Sequence, residues 1–414
     1  MSGKILLIFL ISLNAQFCLF AQYFYTPPLL VPYLETAPEI VSRAAVLIDA
    51  KTGALLYSKN ADEEIPPASL TKLMTMNLLM KEVKEGRASY DEFISLTEES
   101  WALKQPPHSS LMFLEPGQKV TLREILTGLA VSSGNDAAVA AALRLAPNMN
   151  AFAGLMTNEA RRLGLKVTRF TEASGISEKN MTTAEEFAYF CMYYINEHPD
   201  SMRDFHSVME FSYPLDRNET ERYKTNPRTI TQYNRNVLLK SFPGVDGLKT
   251  GFINESGYNI ALTANRGETR FILVILGAPN QPAGERVRAA DSINLLAWAY
   301  ENFKTVHLNA KFIEESSMQE IRLWKGKGKT IALKFKTSPD FTSSVNRADI
   351  LKYEVVIPKH LIAPLPEGFE AGYIIISDEE GELSRTTIVT AQACKKGNIF
   401  KRLWHSIVLL FKKS

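Results

Sequence analysis

Cysteine is scarce in this 414-residue chain: Cys18, Cys191 and Cys394 stand too far apart in sequence to imply a disulfide framework. Histidine is scarce as well. His108, His198, His206, His307, His360 and His405 show no ligand-like spacing with one another or with cysteine, so neither a metal nor any other cofactor is expected, and each reads as a surface or locally bonded side chain. A surplus of one charge is missing. The formal net charge is +2 and no long basic stripe precedes the last twenty residues, which argues against nucleic acid as a partner. Compositional bias is missing too: 45% hydrophobic and 22% charged residues exclude a disordered or collagenous chain and allow two or more domains with real cores.

Long apolar runs are absent at both ends, and each end reads accordingly. Lys4 precedes an apolar stretch over residues 5–13, which Asn14-Ala15-Gln16 interrupts, and Leu19-Phe20-Ala21 forms a cleavage site before Gln22. Residues 1–21 are therefore expected to be a secretory signal peptide; a transmembrane anchor is the alternative, and the short, broken run speaks against it. Phe17 is too large for lipoprotein processing at Cys18. Residues 22–38, rich in proline and aromatics, are expected to be an extended lead-in. At the other end Phe400, Leu403, Trp404, Ile407, Val408 and Phe411 recur at steps of three and four, while Lys401, Arg402, Lys412 and Lys413 carry charge. Residues 399–411 would reach only ~20 Å as a helix, short of a ~30 Å hydrocarbon core. Residues 395–414 are thus expected to form an amphipathic anchor helix lying in a membrane surface through residues 398–414, with packing on its own protein as the alternative.

The chain is organised around Pro66-Pro67-Ala68-Ser69-Leu70-Thr71-Lys72. Two prolines set the entry to a helix, and Leu70, Leu73, Met74, Leu78 and Leu79 place apolar residues on most of its sides, so it should be buried. Residues at i and i+3 face the same way, which brings the Lys72 amine to the Ser69 hydroxyl. Burial disfavours the ammonium, and a neutral lysine can take the serine proton. The unpaired N–H groups of the helix start, that of Ser69 included, could face an oxyanion. Ser-x-x-Lys alone arises by chance in many chains, so the rest of the sequence must decide.

Around it the pattern is that of an α/β (α+β) domain. Residues 43–50 and 54–58 read as two strands joined by a hairpin at Lys51-Thr52-Gly53. Residues 73–145 read as mainly helical, interrupted at Pro106-Pro107 and at Pro116-Gly117. One helix should run to Val131, break at Ser132-Ser133-Gly134-Asn135 and restart at Asp136. The break either presents Ser133 and Asn135 to a cleft or merely caps the helix. Residues 245–252, 258–264 and 271–276 read as strands and 284–303 as a helix, so strands from both ends would complete one antiparallel sheet with the helical middle inserted between them. Beyond Thr305, alternation at Ile331, Leu333 and Phe335 and in residues 353–357 and 373–376 marks a small β-rich domain with no catalytic constellation. The expected domains are therefore 39–305 for the first and 306–394 for the second.

Three short motifs in fixed order carry more than any one alone. Ser69-x-x-Lys72, Ser133-x-Asn135 and Lys249-Thr250-Gly251 match the serine acyl-transferase set shared by penicillin-binding proteins and class A β-lactamases, whereas the hairpin Lys51-Thr52-Gly53 precedes the serine and reads as structural. With Val131-Ser132-Ser133-Gly134-Asn135-Asp136-Ala137-Ala138, Asn234-Arg235-Asn236 and Asp246-Gly247-Leu248 added, and with residues 361–372 similar to its second domain, the chain resembles the low-molecular-mass penicillin-binding proteins that are D-alanyl-D-alanine carboxypeptidases, over most of its length. The resemblance implies a β-lactamase/transpeptidase-like domain with an antiparallel sheet flanked by helices and a small all-β C-terminal domain. It implies peptidoglycan stem peptides as substrate, β-lactams as inhibitors, and a site on the outer face of the cytoplasmic membrane. By motif, Ser69 would be the nucleophile and Lys72 its base, with the Ser69 and Phe252 N–H groups on the oxyanion. Ser133 would relay a proton to the leaving D-alanine, Asn135 orient Lys72 and the substrate amide, and Lys249 supply positive charge. Thr250 and Arg235 would bind the terminal carboxylate, and Gly251 would let the substrate approach the strand.

Two positions depart from the pattern: Gly134 stands where the β-lactamases usually carry aspartate, and Phe252 follows the third motif where the carboxypeptidases often carry a polar residue. A β-lactamase of the same fold is one competing expectation, although no Glu-x-x-Leu-Asn segment lies between Asn135 and Lys249. A cell-wall scaffold without turnover is the other. The sequence leaves the oligomeric state open.

Overall fold

The apolar run Ala44-Ala45-Val46-Leu47-Ile48 forms β1 (Ala44–Asp49), and Gly53, at φ +74°, turns the chain back into β2 (Leu55–Lys59). The structure, a computed structural model, describes residues 37–218, 229–307, 320–337, 340–345, 351–377 and 381–411. The expected signal peptide and residues 22–36 of the expected lead-in lie outside the described residues. The chain divides into two units, Met1–Tyr300 and Glu301–Ser414.

In the first unit β7 (Val245–Ile253), β8 (Gly257–Arg266) and β9 (Thr269–Ala278) join the first hairpin in one antiparallel sheet of order β2-β1-β9-β8-β7. Among the described residues, five helices of nine residues or more come between its two halves: α1 (Lys72–Lys84), α2 (Leu122–Ala130), α3 (Asn135–Leu145), α4 (Met149–Arg162) and α5 (Ala184–Glu197). The sixth, α6 (Gly284–Asn302), begins in this unit after the sheet is complete. The central strands are buried on both faces, which is why they read as continuous apolar runs and not as an alternation. Val46, Ile48, Ile272, Val274 and Leu276 share one core with α1 to α5. The residues between them point the other way, where Phe271 meets Tyr300 at 4.7 Å and Tyr57 meets Trp298 edge-on at 6.4 Å. Sheet from both ends of the domain, helices from the middle, is the arrangement the pattern foretold.

One expectation needs correction. Residues 85–121 are not mainly helical: they hold 3₁₀ turns at Glu98–Ser100 and Ala102–Lys104 and a two-stranded pair of β3 (Phe93–Ile94) with β4 (Val120–Thr121). Gly86 and Gly117 at positive φ and the two proline interruptions stop a helix from forming. A second small pair, β5 (Glu210–Tyr213) with β6 (Ile230–Tyr233), precedes β7.

In the second unit the described strands are β10 (Phe303–Val306), β11 (Glu320–Trp324), β12 (Thr330–Phe335), β13 (Phe341–Ser344), β14 (Lys352–Val356), β15 (His360–Ile362), β16 (Glu370–Ser377) and β17 (Glu382–Thr390). They form a sheet of order β14-β16-β17-β12-β11-β15 and a pair β10-β13. Ile331 and Leu333 point into one core and Ile374 and Ile376 into another, the period of two seen in the sequence. Helix α7 (Ile399–Phe411) ends the described chain with none of its residues buried.

Candidate active site

Ser69 sits in a 3₁₀ turn, Ala68–Thr71, entered from Pro67, and Lys72 opens α1 directly after it. In a 3₁₀ turn residues three apart eclipse, so the two side chains meet more squarely than an α-helical start would allow. Lys72 Nζ lies 3.0 Å from Ser69 Oγ, and it donates to Asn135 Oδ1 at 2.8 Å and to the Ser174 carbonyl at 2.5 Å. The lysine is fully buried, and the lost hydration pulls its pKa down to about 7; Glu172 opposes that fall and Arg235 adds to it.

The break between α2 and α3 presents residues to this cleft. Asn135, the first residue of α3, points its oxygen at Lys72 and does not cap its own helix, and Ser133, at φ +58° and buried, lines the pocket that Ser69 opens into. Gly134 has a packing reason: a Cβ there would lie 2.7 Å from Asp136 Oδ1 and 2.9 Å from the Met112 nitrogen. Asp136 accepts the N–H groups of Met112, Phe113 and Leu114 and so clamps the segment that follows Ser110 along the pocket. That use of Asp136 is invisible in the sequence, because its partners lie more than twenty residues away.

Strand β7 supplies the opposite wall. Lys249 is buried and donates to its neighbour's carbonyl, Thr250 O, at 3.0 Å. Burial, then the positive charges of Lys72, Arg235 and Arg288, hold its pKa well below the ordinary lysine value. Thr250, Gly251, Phe252 and Arg235 line the same pocket as Ser69 and Ser133, Asn135 lines a second pocket that Ser69 also borders, and Lys72 and Lys249 are buried, Lys72 in contact with Ser69 and Asn135. Gly251 has a packing reason as well. The place of its missing side chain is occupied by protein: a Cβ would lie 3.0 Å from both the Pro67 oxygen and the Ser69 nitrogen. The glycine thus lets β7 press against the turn that carries Ser69. Phe252 is 42% exposed and leans on Tyr258, ring centroids 4.4 Å apart.

Sequence reasoning missed Glu172, Ser174 and Gly175, which close the cleft near Lys72, and Arg288, buried in α6 with its guanidinium over the Tyr258 ring. Glu172-Ala173-Ser174-Gly175 carries only a generic turn signal, and Arg288 sits in an ordinary helical pattern. The histidines follow expectation where they are buried: His198 bonds Asn77, and His206 bonds Tyr194 and the Leu248 carbonyl.

A serine beside a buried amine, set between a helix start and an edge strand of an antiparallel sheet, is the arrangement that serine acyl-transferases of the penicillin-recognising class use. Comparison with known proteins narrows the class. Residues 32–280 match the family model described as D-alanyl-D-alanine carboxypeptidase, and residues 300–396 match that of the penicillin-binding protein 5 C-terminal domain. The chain belongs to the D-alanyl-D-alanine carboxypeptidase family. It is 32% identical over 383 residues to the D-alanyl-D-alanine carboxypeptidase DacD of Escherichia coli, covering 90% of this chain and 92% of that one. It is 30% identical over 384 residues to DacC of the same organism, covering 91% and 90%. Penicillin-binding protein 5 of Haemophilus influenzae superposes with a TM-score of 0.73 at 26% identity, covering 87% of this chain and 99% of that structure. The mixed catalytic fold and the all-β second domain follow that pattern.

Proposed function

We infer that this protein is a serine D-alanyl-D-alanine carboxypeptidase that trims peptidoglycan stem peptides and is acylated by penicillins. The observation that carries the reading is the buried Lys72 amine 3.0 Å from Ser69 Oγ inside a chain of this family. Ser69 Oγ attacks the carbonyl of the penultimate D-alanine while its proton passes to the neutral Lys72 amine. The resulting oxyanion lies at the Ser69 and Phe252 N–H groups, the second belonging to the residue that follows the glycine pressed against the Ser69 turn. Collapse breaks the C–N bond, the leaving D-alanine nitrogen takes its proton through Ser133, and Asn135 keeps Lys72 aimed. Water then cleaves the acyl-enzyme. Arg235 and Thr250 hold the substrate's terminal carboxylate, and the arrival of that anion favours the charged form of the nearby Lys249, which burial and the neighbouring cations disfavour in the empty site. A penicillin-binding protein of Listeria monocytogenes solved with ampicillin, 28% identical with a TM-score of 0.53, supports β-lactams as ligands of this fold.

The test is release of D-alanine from an acylated tripeptide ending Lys-D-Ala-D-Ala, measured beside benzylpenicillin hydrolysis. Steady release with a long-lived penicilloyl adduct is expected. Rapid benzylpenicillin turnover without D-alanine release would shift the assignment to a β-lactamase.

Residues 1–21 act, in this reading, as a secretion signal, and α7 as the attachment to the outer face of the cytoplasmic membrane. What supports the latter is the open apolar face of α7, with Phe400 80%, Trp404 65% and Phe411 81% exposed, beside Lys401 and Arg402. Among the described residues no helix is long and apolar enough to cross a membrane. The cut that tests the anchor should leave residues 394–397 in place, because Cys394 bridges to Leu365, Lys396 bridges to Gly326, and the Gly397 N–H bonds the Lys325 carbonyl. Deleting residues 398–414 is expected to move the protein from the membrane pellet to the supernatant with D-alanine release unchanged. A truncated protein that still sediments with membranes defeats the anchor assignment.

A further inference from the structure

The segment Thr171-Glu172-Ala173-Ser174-Gly175 folds back on its own glutamate. Glu172 Oε2 accepts the Ser174 N–H and the Ser174 hydroxyl, each at 2.6 Å, and Oε1 accepts the Gly175 N–H at 2.6 Å and Asn180 Nδ2 at 2.8 Å. The turn is then fastened to the helix start on either side of Lys72. Asn180 Nδ2 also reaches Thr71 Oγ1 at 3.2 Å, and Thr75 Oγ1 donates to the Ala173 carbonyl at 2.8 Å. Gly175, at φ +83°, lies so close to the Ser69 turn that a Cβ would stand 1.8 Å from the Ala68 oxygen. Out of this fold comes the Ser174 carbonyl, aimed at Lys72 Nζ.

We propose that Glu172 is a positioning residue for acyl transfer: it shapes the 172–175 turn so that the Ser174 carbonyl holds the Lys72 amine beside Ser69, and its charge sets how readily that amine carries a proton. The proposal rests on the reading of Ser69 as nucleophile and Lys72 as its base. Four donors occupy the carboxylate, so it has no free lone pair aimed at a water, and the role of a deacylating base falls away. A carboxylate suits the place because it only accepts; an amide would turn an NH₂ towards Ser174 or Asn180, which already donate. The charges acting on Lys72 are Glu172 and Asp136 on one side of the balance, Arg235 and Lys249 on the other.

The experiment is the acylation rate of the full chain by a fluorescent penicillin, followed through neutral pH for wild type, Glu172→Gln and a Ser69→Ala blank, with thermal midpoints of each. Glu172→Gln is expected to lower the alkaline plateau between about 10-fold and 100-fold. It is also expected to move the midpoint of the acidic limb to lower pH, because an anion that favours the ammonium is gone. A wild-type profile overturns the proposal, and so does a plateau lowered with the acidic midpoint unmoved, because the charge removed with Glu172 would then not act on Lys72. If Glu172→Gln does not fold, Glu172→Asp decides: it keeps the charge, so a slower plateau at an unmoved midpoint supports the proposal, and a moved midpoint or an unchanged rate overturns it. Wild type that takes no label, or a Ser69→Ala variant that does, overturns the underlying reading of Ser69 and the proposal with it.

Discussion

Ser69→Ala is expected to take D-alanine release to background, a loss of about 10⁴-fold or more, and to abolish the penicilloyl adduct. The size follows from covalent chemistry: without Oγ there is nothing to carry the acyl group, and oxyanion donors alone recover little. Stability should barely move, within about 1 kcal/mol, because Ser69 is half-buried at the cleft and Lys72 keeps its bonds to Asn135 and the Ser174 carbonyl. Comparing D-alanine release with the thermal midpoint of the same preparations separates lost chemistry from lost fold. A Ser69→Ala variant with wild-type release would mean that another group is the nucleophile, whereas a variant that matches wild type in every cellular assay would favour the scaffold without turnover.

What was legible in the sequence follows from the range over which each signal acts. The sheet strands announce themselves because β1 and β9 are buried on both faces and must be apolar throughout, and the break at residues 132–135 shows because two helices cannot run through it. Ser69 and Lys72 could be paired because they are neighbours on one turn. The break left Asn135 open as a cleft residue or a cap, and its role, like that of Lys249, came by resemblance to a family, since nothing local says that Asn135 faces Lys72 across 63 positions. Glu172 lay beyond reach for a sharper reason. Its four donors are local, yet the meaning of the turn they build lies in a carbonyl delivered to a lysine 102 positions earlier. Residues 85–121 were misjudged because their order comes from distant clamps, Asp136 on residues 112–114 and Asn218 on the Lys119 carbonyl, and not from their own periodicity.

The two departures from the family pattern differ in kind. Gly134 is required by the closeness of the Met112 backbone, so a side chain there would disturb the clamped segment before it touched any substrate. In the proposed mechanism Phe252 is free to vary, because what it would offer the oxyanion is a backbone N–H, while its ring, leaning on Tyr258, borders both pockets that Ser69 lines. Its effect therefore belongs to substrate fit and not to the bond-breaking step.

Lys72→Met is expected to slow acylation by about 10²–10⁴-fold while leaving a folded protein, and to erase the acidic limb of the pH profile. Only the neutral amine can take the Ser69 proton. With its pKa brought to about 7, the wild-type rate should rise as pH climbs through that value and level off above it. The same shift has a stability consequence of definite sign. Between about 7 and the ordinary lysine value of 10.5 the unfolded chain holds a proton at this position that the folded chain has released. The unfolded state binds more protons there, so stability rises with pH across that window. Methionine carries no proton in either state, and the variant should lack that increment. Thermal midpoints of the two proteins, followed from neutral to alkaline pH, should therefore diverge, wild type gaining on the variant. Parallel curves would mean that Lys72 keeps an ordinary pKa in the fold, and the serine would need another base.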